Sequence, residues 1–256
     1  MKTTLKWLGI GLLVAVVLAG AGFLVWAETP AQPGPAALAA LESDGVVYVF
    51  DKGKYILFYP AVCATQPPGA SGSPHQVGLV FYPGGRVDYR AYAPALRQIA
   101  AQGFIVALVP VRLNLAFFDV EAGALPIQEL QAVKVWVVGG HSLGGVAASL
   151  FARSHPGVKG IVFWASYPAD DGLKNSSLKM LSLYGTNDGL LTNAQIAEAM
   201  ANLPIESHLV PIEGGNHAQF GDYGPQAGDN PASISAESQW EQAAQATATF
   251  LKTLIP

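Results

Sequence analysis

The feature that most constrains this chain is a set of short runs that are apolar at consecutive positions, clearest in Phe104-Ile105-Val106-Ala107-Leu108-Val109. Successive side chains of a strand point to opposite faces, so a run without polar alternation must be covered on both sides. Parallel strands in a sheet flanked by two helix layers read this way. Comparable runs recur at Val46–Phe50, Tyr55–Tyr59, Val77–Tyr82, Val133–Val138, Gly160–Trp164, Leu178–Tyr184 and Ser207–Ile212. Between them lie helix-like stretches at Tyr89–Ala101, Leu143–Arg153 and Asn193–Asn202, with a terminal one at Ser238–Leu254. Asp88 and Asn193 are candidate N-caps and Gly103 a candidate helix stop. The first two strands are joined by Asp51-Lys52-Gly53, a link of hairpin length. An antiparallel hairpin feeding alternating β and α units predicts an α/β fold. Its sheet is mostly parallel, with about eight strands and helices on both faces.

Composition narrows the classes. Of 256 residues 51% are apolar and 12% charged, enough buried surface to offset the entropy of ordering one domain. A net charge of -4 provides no basic field for phosphates, so no nucleic-acid partner is expected. A single cysteine, Cys63, excludes an intramolecular disulfide and reads as a small core hydrophobe.

Three segments follow along the chain: residues 1–27 as a signal-anchor or signal peptide, 28–44 as a linker and 45–256 as the folded domain. Lys2 and Lys6 precede an uncharged run from Trp7 to Ala27. At about 1.5 Å per residue that run reaches roughly 30 Å, the thickness of a bilayer's hydrocarbon core. The flanking lysines predict a cytoplasmic N-terminus with the rest outside the cytoplasm. Small residues at Ala19-Gly20-Ala21 and Val25-Trp26-Ala27 keep cleavage, and hence a secreted product, open. The following Glu28–Pro35, with three prolines, suits an extended, poorly packed tether. The Pro-, Gly- and Ser-rich Gln66–Pro74 reads as an exposed loop, and Gly221–Asp229 as mobile surface rather than a calcium loop.

The chemistry is concentrated where the apolar Val135-Trp136-Val137-Val138 runs into Gly139-Gly140-His141-Ser142-Leu143-Gly144-Gly145 and then a small-residue helix. Gly140–Gly144 is a G-x-S-x-G match between strand and helix, the setting of a serine on a sharp, strained turn. Side chains two residues either side of such a serine would collide, which the glycines avoid. Downstream, Leu178–Tyr184 ends in Gly185-Thr186-Asn187-Asp188-Gly189, and Ser207–Ile212 in Glu213-Gly214-Gly215-Asn216-His217. Asp188 and His217 therefore fall on loops at one rim of the sheet with Ser142.

With these motifs and Phe81-Tyr82-Pro83-Gly84-Gly85, the chain resembles the α/β-hydrolase superfamily over about residues 45–255. Its nearest likeness there is the compact, cap-less branch of dienelactone-hydrolase-like and lipase-like serine esterases. The resemblance implies Ser142 as nucleophile, His217 as general base and then acid, and Asp188 as the group that fixes the imidazole. It also implies an oxyanion hole from the backbone N–H of Leu143 and a second one after the third strand. Gly85 is the expected second donor, Arg86 the alternative, and Pro83 has no N–H to offer. Asp170 and Asp171 are alternative acids. His75, His155 and His208 are less suitably placed histidines, and His141 reads as structural.

Arg86 reads either as a recognition site for a substrate carboxylate or as a solvated helix start. Phe117 and Phe118 either line an acyl pocket or pack in the core. The short interval from Ser142 to Asp188 leaves little room for a lid, so an open site is expected. The reaction implied is cleavage of a small-molecule ester through an acyl-enzyme, without cofactor or metal. A peptidase, an acyltransferase or a non-catalytic binding domain would carry the same fold.

Overall fold

The computed structural model describes residues 2–65, 76–200, 203–204 and 206–256. The expected loop at 66–74, His75 and the end of the helix expected to reach 202 lie outside the described residues. Helix α1 (Lys2–Ala27) and the short α2 (Pro35–Ala39) precede strands β1 (Val47–Asp51) and β2 (Ile56–Pro60). The chain continues through α3 (Val62–Thr65), β3 (Val77–Tyr82), α4 (Ala93–Ala101), β4 (Ile105–Leu108) and α5 (Ala124–Glu129). It then runs through β5 (Val135–His141), α6 (Leu143–Ser154), β6 (Val158–Trp164), β7 (Lys179–Gly185), α7 (Asn193–Met200), β8 (Ser207–Ile212) and α8 (Ala236–Lys252).

The described strands form one eight-stranded sheet in the order β1-β2-β4-β3-β5-β6-β7-β8. β1, β2 and β4 pair antiparallel and all other neighbours pair parallel. The expected hairpin closes at Lys52 N–H to Tyr55 O, with Gly53 in the left-handed region. The apolar runs behave as their lack of alternation requires. Leu79, Phe81, Val106 and Leu108 enter a core layer under α4 and α8, while Val80, Tyr82, Ile105 and Ala107 enter a second layer under α6. Trp164, fully buried at the end of β6, lies 4.5 Å from the Phe81 ring and donates its indole N–H to Thr247 of α8. Asp88 caps the turn at Tyr89–Tyr92 by accepting from Arg90 N–H, and Gly103 follows α4 at φ 100°.

Two expectations are corrected. The segment after α1 is packed rather than a loose tether. Ala31 bridges to Val87, Ala37 is fully buried, and the Asp222 carboxylate accepts from Ala37 N–H at 2.8 Å. Three prolines favour an extended chain, but a carboxylate from far along the sequence supplies the cap that holds α2 in place. The 221–229 stretch is likewise structural. Asp222 holds α2, while Asp229 accepts from the N–H groups of Ala218, Gly189 and Asn230.

Candidate active site

β5 carries the chain to the rim of the sheet, and the turn into α6 presents Ser142 at φ 51°, ψ -123°. For a residue with a Cβ this backbone costs of order 1–3 kcal/mol, and it persists only because its surroundings fix it. Ser142 N–H donates to Trp164 O at 3.0 Å, and Ser142 O accepts from the Ser166 hydroxyl at 2.6 Å and from Gly145 N–H at 3.0 Å. The flanking glycines are dictated by contact. A Cβ at Gly140 would strike the backbone of Gly144, and one at Gly144 would strike the carbonyl oxygens of Tyr82 and Pro83. Both obstacles are main chain, so neither yields to a change of rotamer.

β7 and β8 bring Asp188 and His217 to the same rim. His217 Nδ1 lies 2.8 Å from Asp188 Oδ2, and both side chains are buried. Asp188 Oδ1 accepts from Leu190 N–H at 2.8 Å and Leu191 N–H at 2.7 Å, so the carboxylate is held at both oxygens. The two loops are tied together where Asn187 N–H donates to Gly215 O at 2.8 Å. His217 Nε2 is buried without a hydrogen-bond partner among the described residues, and the imidazole lines the same cleft as Ser142. That cleft, about 140 Å³, is completed by Leu143, Val146, Ala165, Ser166, Leu190 and other residues, and a larger groove adjoins it at Tyr167.

The loop after β3 faces the first turn of α6. Gly84 N–H donates to the Tyr92 hydroxyl, Arg86 N–H to Asn114 O and Val87 N–H to Gly84 O. Pro83 has no N–H, which leaves the Gly85 amide without an internal acceptor among the described residues. A Cβ at Gly85 would lie 2.5 Å from Leu143 Cδ1, so this amide and the start of α6 are neighbours. Engagement of Arg86 N–H by Asn114 removes the alternative donor.

The remaining candidates are accounted for individually. Asp170 pairs with Arg153 at 2.5 Å on the surface and accepts from Gly172 N–H. That N–H, and then the guanidinium, hold its carboxyl below the usual range. His155 stacks on Phe151, and His208 is an exposed residue of β8. Cys63 is half-buried, its thiol pushed up to about 11 by burial. The structure does not bring Arg86 or Phe117 into the cleft. The Arg86 guanidinium donates to Trp26 O and Thr29 O, both at 2.8 Å, and covers the Trp26 ring. Phe117 is exposed, its ring tilted against that of Phe118 with centroids 4.3 Å apart. Among the described residues, the only helical segment between β6 and β7 is one 3-10 turn, Asp171–Leu173, and it does not line the cleft.

One supporting residue escaped sequence reasoning. Gln239 of α8, fully buried, accepts from Asn216 N–H at 3.0 Å and donates to Asn216 O at 2.7 Å, fixing the backbone just before His217. A lone glutamine on the apolar face of an amphipathic helix was the available signal. His141, read from the sequence as structural, is held in the core beside His217. It is 1% exposed, its Nδ1 lies 2.8 Å from the Tyr92 hydroxyl, and its ring is 4.6 Å from that of His217. Burial, and then the adjacent His217, push it well below the ordinary imidazole range, so it stays neutral.

Comparison with known proteins agrees with this architecture. A family model described as alpha/beta hydrolase family matches residues 78–241. No curated protein matches the chain. Among solved structures, a "predicted CIB-like hydrolase" from Thermoplasma acidophilum is similar at 16% identity and TM-score 0.55, over 81% of this chain and 97% of that one. The esterase domain of a Rhodothermus marinus protein is similar at 13% identity and TM-score 0.56, with the same two coverages. A 2,6-dihydroxy-pseudo-oxynicotine hydrolase reaches 13% identity and TM-score 0.56, over 86% of this chain and 70% of that one. At such identities the likeness is one of fold.

Proposed function

Because this chain belongs to the alpha/beta hydrolase family, we propose that it is a serine hydrolase cleaving carboxylic esters through an acyl-enzyme. The observation that carries this reading is His217, held 2.8 Å from the buried Asp188 carboxylate and lining one cleft with a serine in left-handed backbone. Ser142 Oγ attacks the ester carbonyl while His217 Nε2 takes its proton. The oxyanion develops beside the Leu143 and Gly85 amides, in line with the N-terminus of α6. His217 then protonates the departing alcohol. A water, deprotonated by the same imidazole, releases the acid and restores the serine. Asp188 accepts from Nδ1–H throughout, which keeps the Nε2 lone pair turned toward Ser142 and stabilises the imidazolium. These residues perform the whole cycle without cofactor or metal.

The absence of a covering helix supports an open site. A cleft of about 140 Å³ accommodates only the reacting part of a substrate, well below the roughly 300–1,000 Å³ of an enclosing pocket. Gly9–Ala27 is long and apolar enough to cross a membrane or act as a signal. With Lys2 and Lys6 before it, we read it as a single-pass anchor with the catalytic domain outside the cytoplasm.

Ser142→Ala tests the reading. Turnover of a short aryl ester and labelling by a fluorophosphonate should both be lost, with kcat falling by a factor of about 10^4 or more. Retained labelling would remove Ser142 as the nucleophile.

A further inference from the structure

Helix α1 does not leave the domain on a loose tether; it is fastened to the rim that carries the site. The Arg86 guanidinium holds Trp26 O and Thr29 O, with its carbon 4.4 Å from the Trp26 ring centroid. Asn114 Nδ2 donates to Ala27 O at 3.0 Å, and Ala27 is fully buried. Ala31 N–H donates to Arg86 O, and Asp88 N–H to Ala31 O. Arg86, Leu113 and Asn114, all bearing side chains, adopt left-handed backbone around this junction. Such conformations survive where surrounding contacts over-determine them.

The junction fixes where the rim sits relative to a bilayer. Gly9–Ala27 has a mean hydropathy of 2.5 and all but Ala27 of its residues are exposed, so lipid is the medium that suits them. At about 1.5 Å per residue the span covers about 28 Å, which brings Trp26 and Ala27 to the interface, where Trp is favoured. Phe23, one turn deeper in the span, meets Phe118 edge-on at 6.3 Å. Phe118 is therefore level with the boundary between headgroups and acyl chains, roughly 5–10 Å deep. It is exposed there with Phe117, and their turn packs on α6, whose first residue is the exposed Leu143 next to Ser142.

We propose that this rim, led by Phe117, Phe118 and Leu143, rests on the bilayer that α1 crosses, and that the substrate is a lipid-resident ester. The second half rests on the serine-hydrolase reading of the cleft. A cleft this small leaves most of a long acyl chain outside the protein, and the adjoining apolar rim gives that chain a path without crossing water. Retention of α1 is part of the proposal, since cleavage after Ala27 would break every contact made by Trp26 and Ala27.

Two measurements on the full chain in phosphatidylcholine vesicles separate the halves. A nitroxide at Phe118→Cys, in a Cys63→Ser, Ser142→Ala background, should be relaxed more by dissolved oxygen than by a water-soluble nickel chelate. The reverse order overturns the membrane-resting surface whatever the enzyme does. Phe118→Asp should lower hydrolysis of a vesicle-borne long-chain acylglycerol at least tenfold while a soluble short aryl ester stays within twofold. An equal loss on both esters, or none on either, overturns the substrate assignment. Failure of the unaltered enzyme on both esters refutes the hydrolase reading and the substrate half with it, leaving the nitroxide to judge the surface. A mature N-terminus beginning after Ala27 overturns the proposal entirely.

Discussion

Asp188→Asn separates a carboxylate that serves catalysis from one that serves the fold. Oδ1 accepts from two backbone N–H groups, of Leu190 and Leu191, at 2.8 and 2.7 Å, while Oδ2 faces His217 Nδ1 at 2.8 Å. An asparagine has one acceptor and one donor end. Turning its NH2 toward Leu190 and Leu191 sets a donor against two donors in a buried site, forfeiting two hydrogen bonds at about 1–3 kcal/mol each. Even the lower sum, about 2 kcal/mol, keeps that orientation to a few per cent of molecules. The carbonyl therefore stays with the two amides, and the NH2 points at Nδ1.

Nδ1 must then accept, so the imidazole proton moves to Nε2 and no lone pair faces Ser142. The expected result is a drop in kcat of about 10^4, the cost of the wrong tautomer in such a triad and equivalent to about 5.4 kcal/mol. Melting temperature should move by no more than about 4 °C, because the amide contacts survive. The assay is short-aryl-ester hydrolysis with a thermal melt on the same preparation, and Asp170→Asn serves as the control, expected within twofold. A loss below tenfold in Asp188→Asn, or a comparable loss in Asp170→Asn, refutes the reasoning.

Gln239→Leu should unpair the N–H and C=O of Asn216, both bonded to this side chain at 3.0 and 2.7 Å. About 2–5 kcal/mol of stability should be lost, and kcat with it; a denaturant midpoint close to that of the parent would contradict this. His141 gives a pH signature. Its folded value lies well below the ordinary 6.5, so on acidification through 6.5 the unfolded chain takes up a proton that the folded chain refuses. Stability should fall below that pH by up to about 1.4 kcal/mol per unit from this residue, and be unaffected by it above. Melts of the parent and His141→Gln between pH 5 and 8 should show a shallower acid slope in the variant, and equal slopes would exclude His141 as the cause.

Much of the scaffold was legible because its signals are local. Runs such as Phe104–Val109 state that both faces are covered, and the order Ser142, Asp188, His217 falls at strand ends recognisable from apolar runs and glycines. What escaped depends on partners distant in the chain. Nothing near Pro35 announces that Asp222, 185 positions after Ala37, caps the helix beginning there. The commitment of Arg86 to Trp26 and Thr29 was equally hidden, since a loop arginine near an oxyanion loop suggests a ligand as readily as it suggests a helix terminus. The β5 boundary was set too early, at Val138. Gly139 and Gly140 look like strand breakers, yet they continue the ladder beside Val162 and Phe163, where a Cβ would strike Val162 of β6 at Gly139 and the first turn of α6 at Gly140.

The fit of main chain against main chain at the Ser142 turn also bears on how such a fold diversifies. A position obstructed by a side chain can be rescued by trimming that neighbour. Gly140 and Gly144 abut peptide groups, which every sequence retains, so no second mutation relieves a change there. Variation among descendants of this chain should accumulate instead in the segments lining the cleft and the groove beside it, around 165–170 and 190–191 and at Gln226. Preference for one substrate over another can drift there while the turn that presents Ser142 stays fixed.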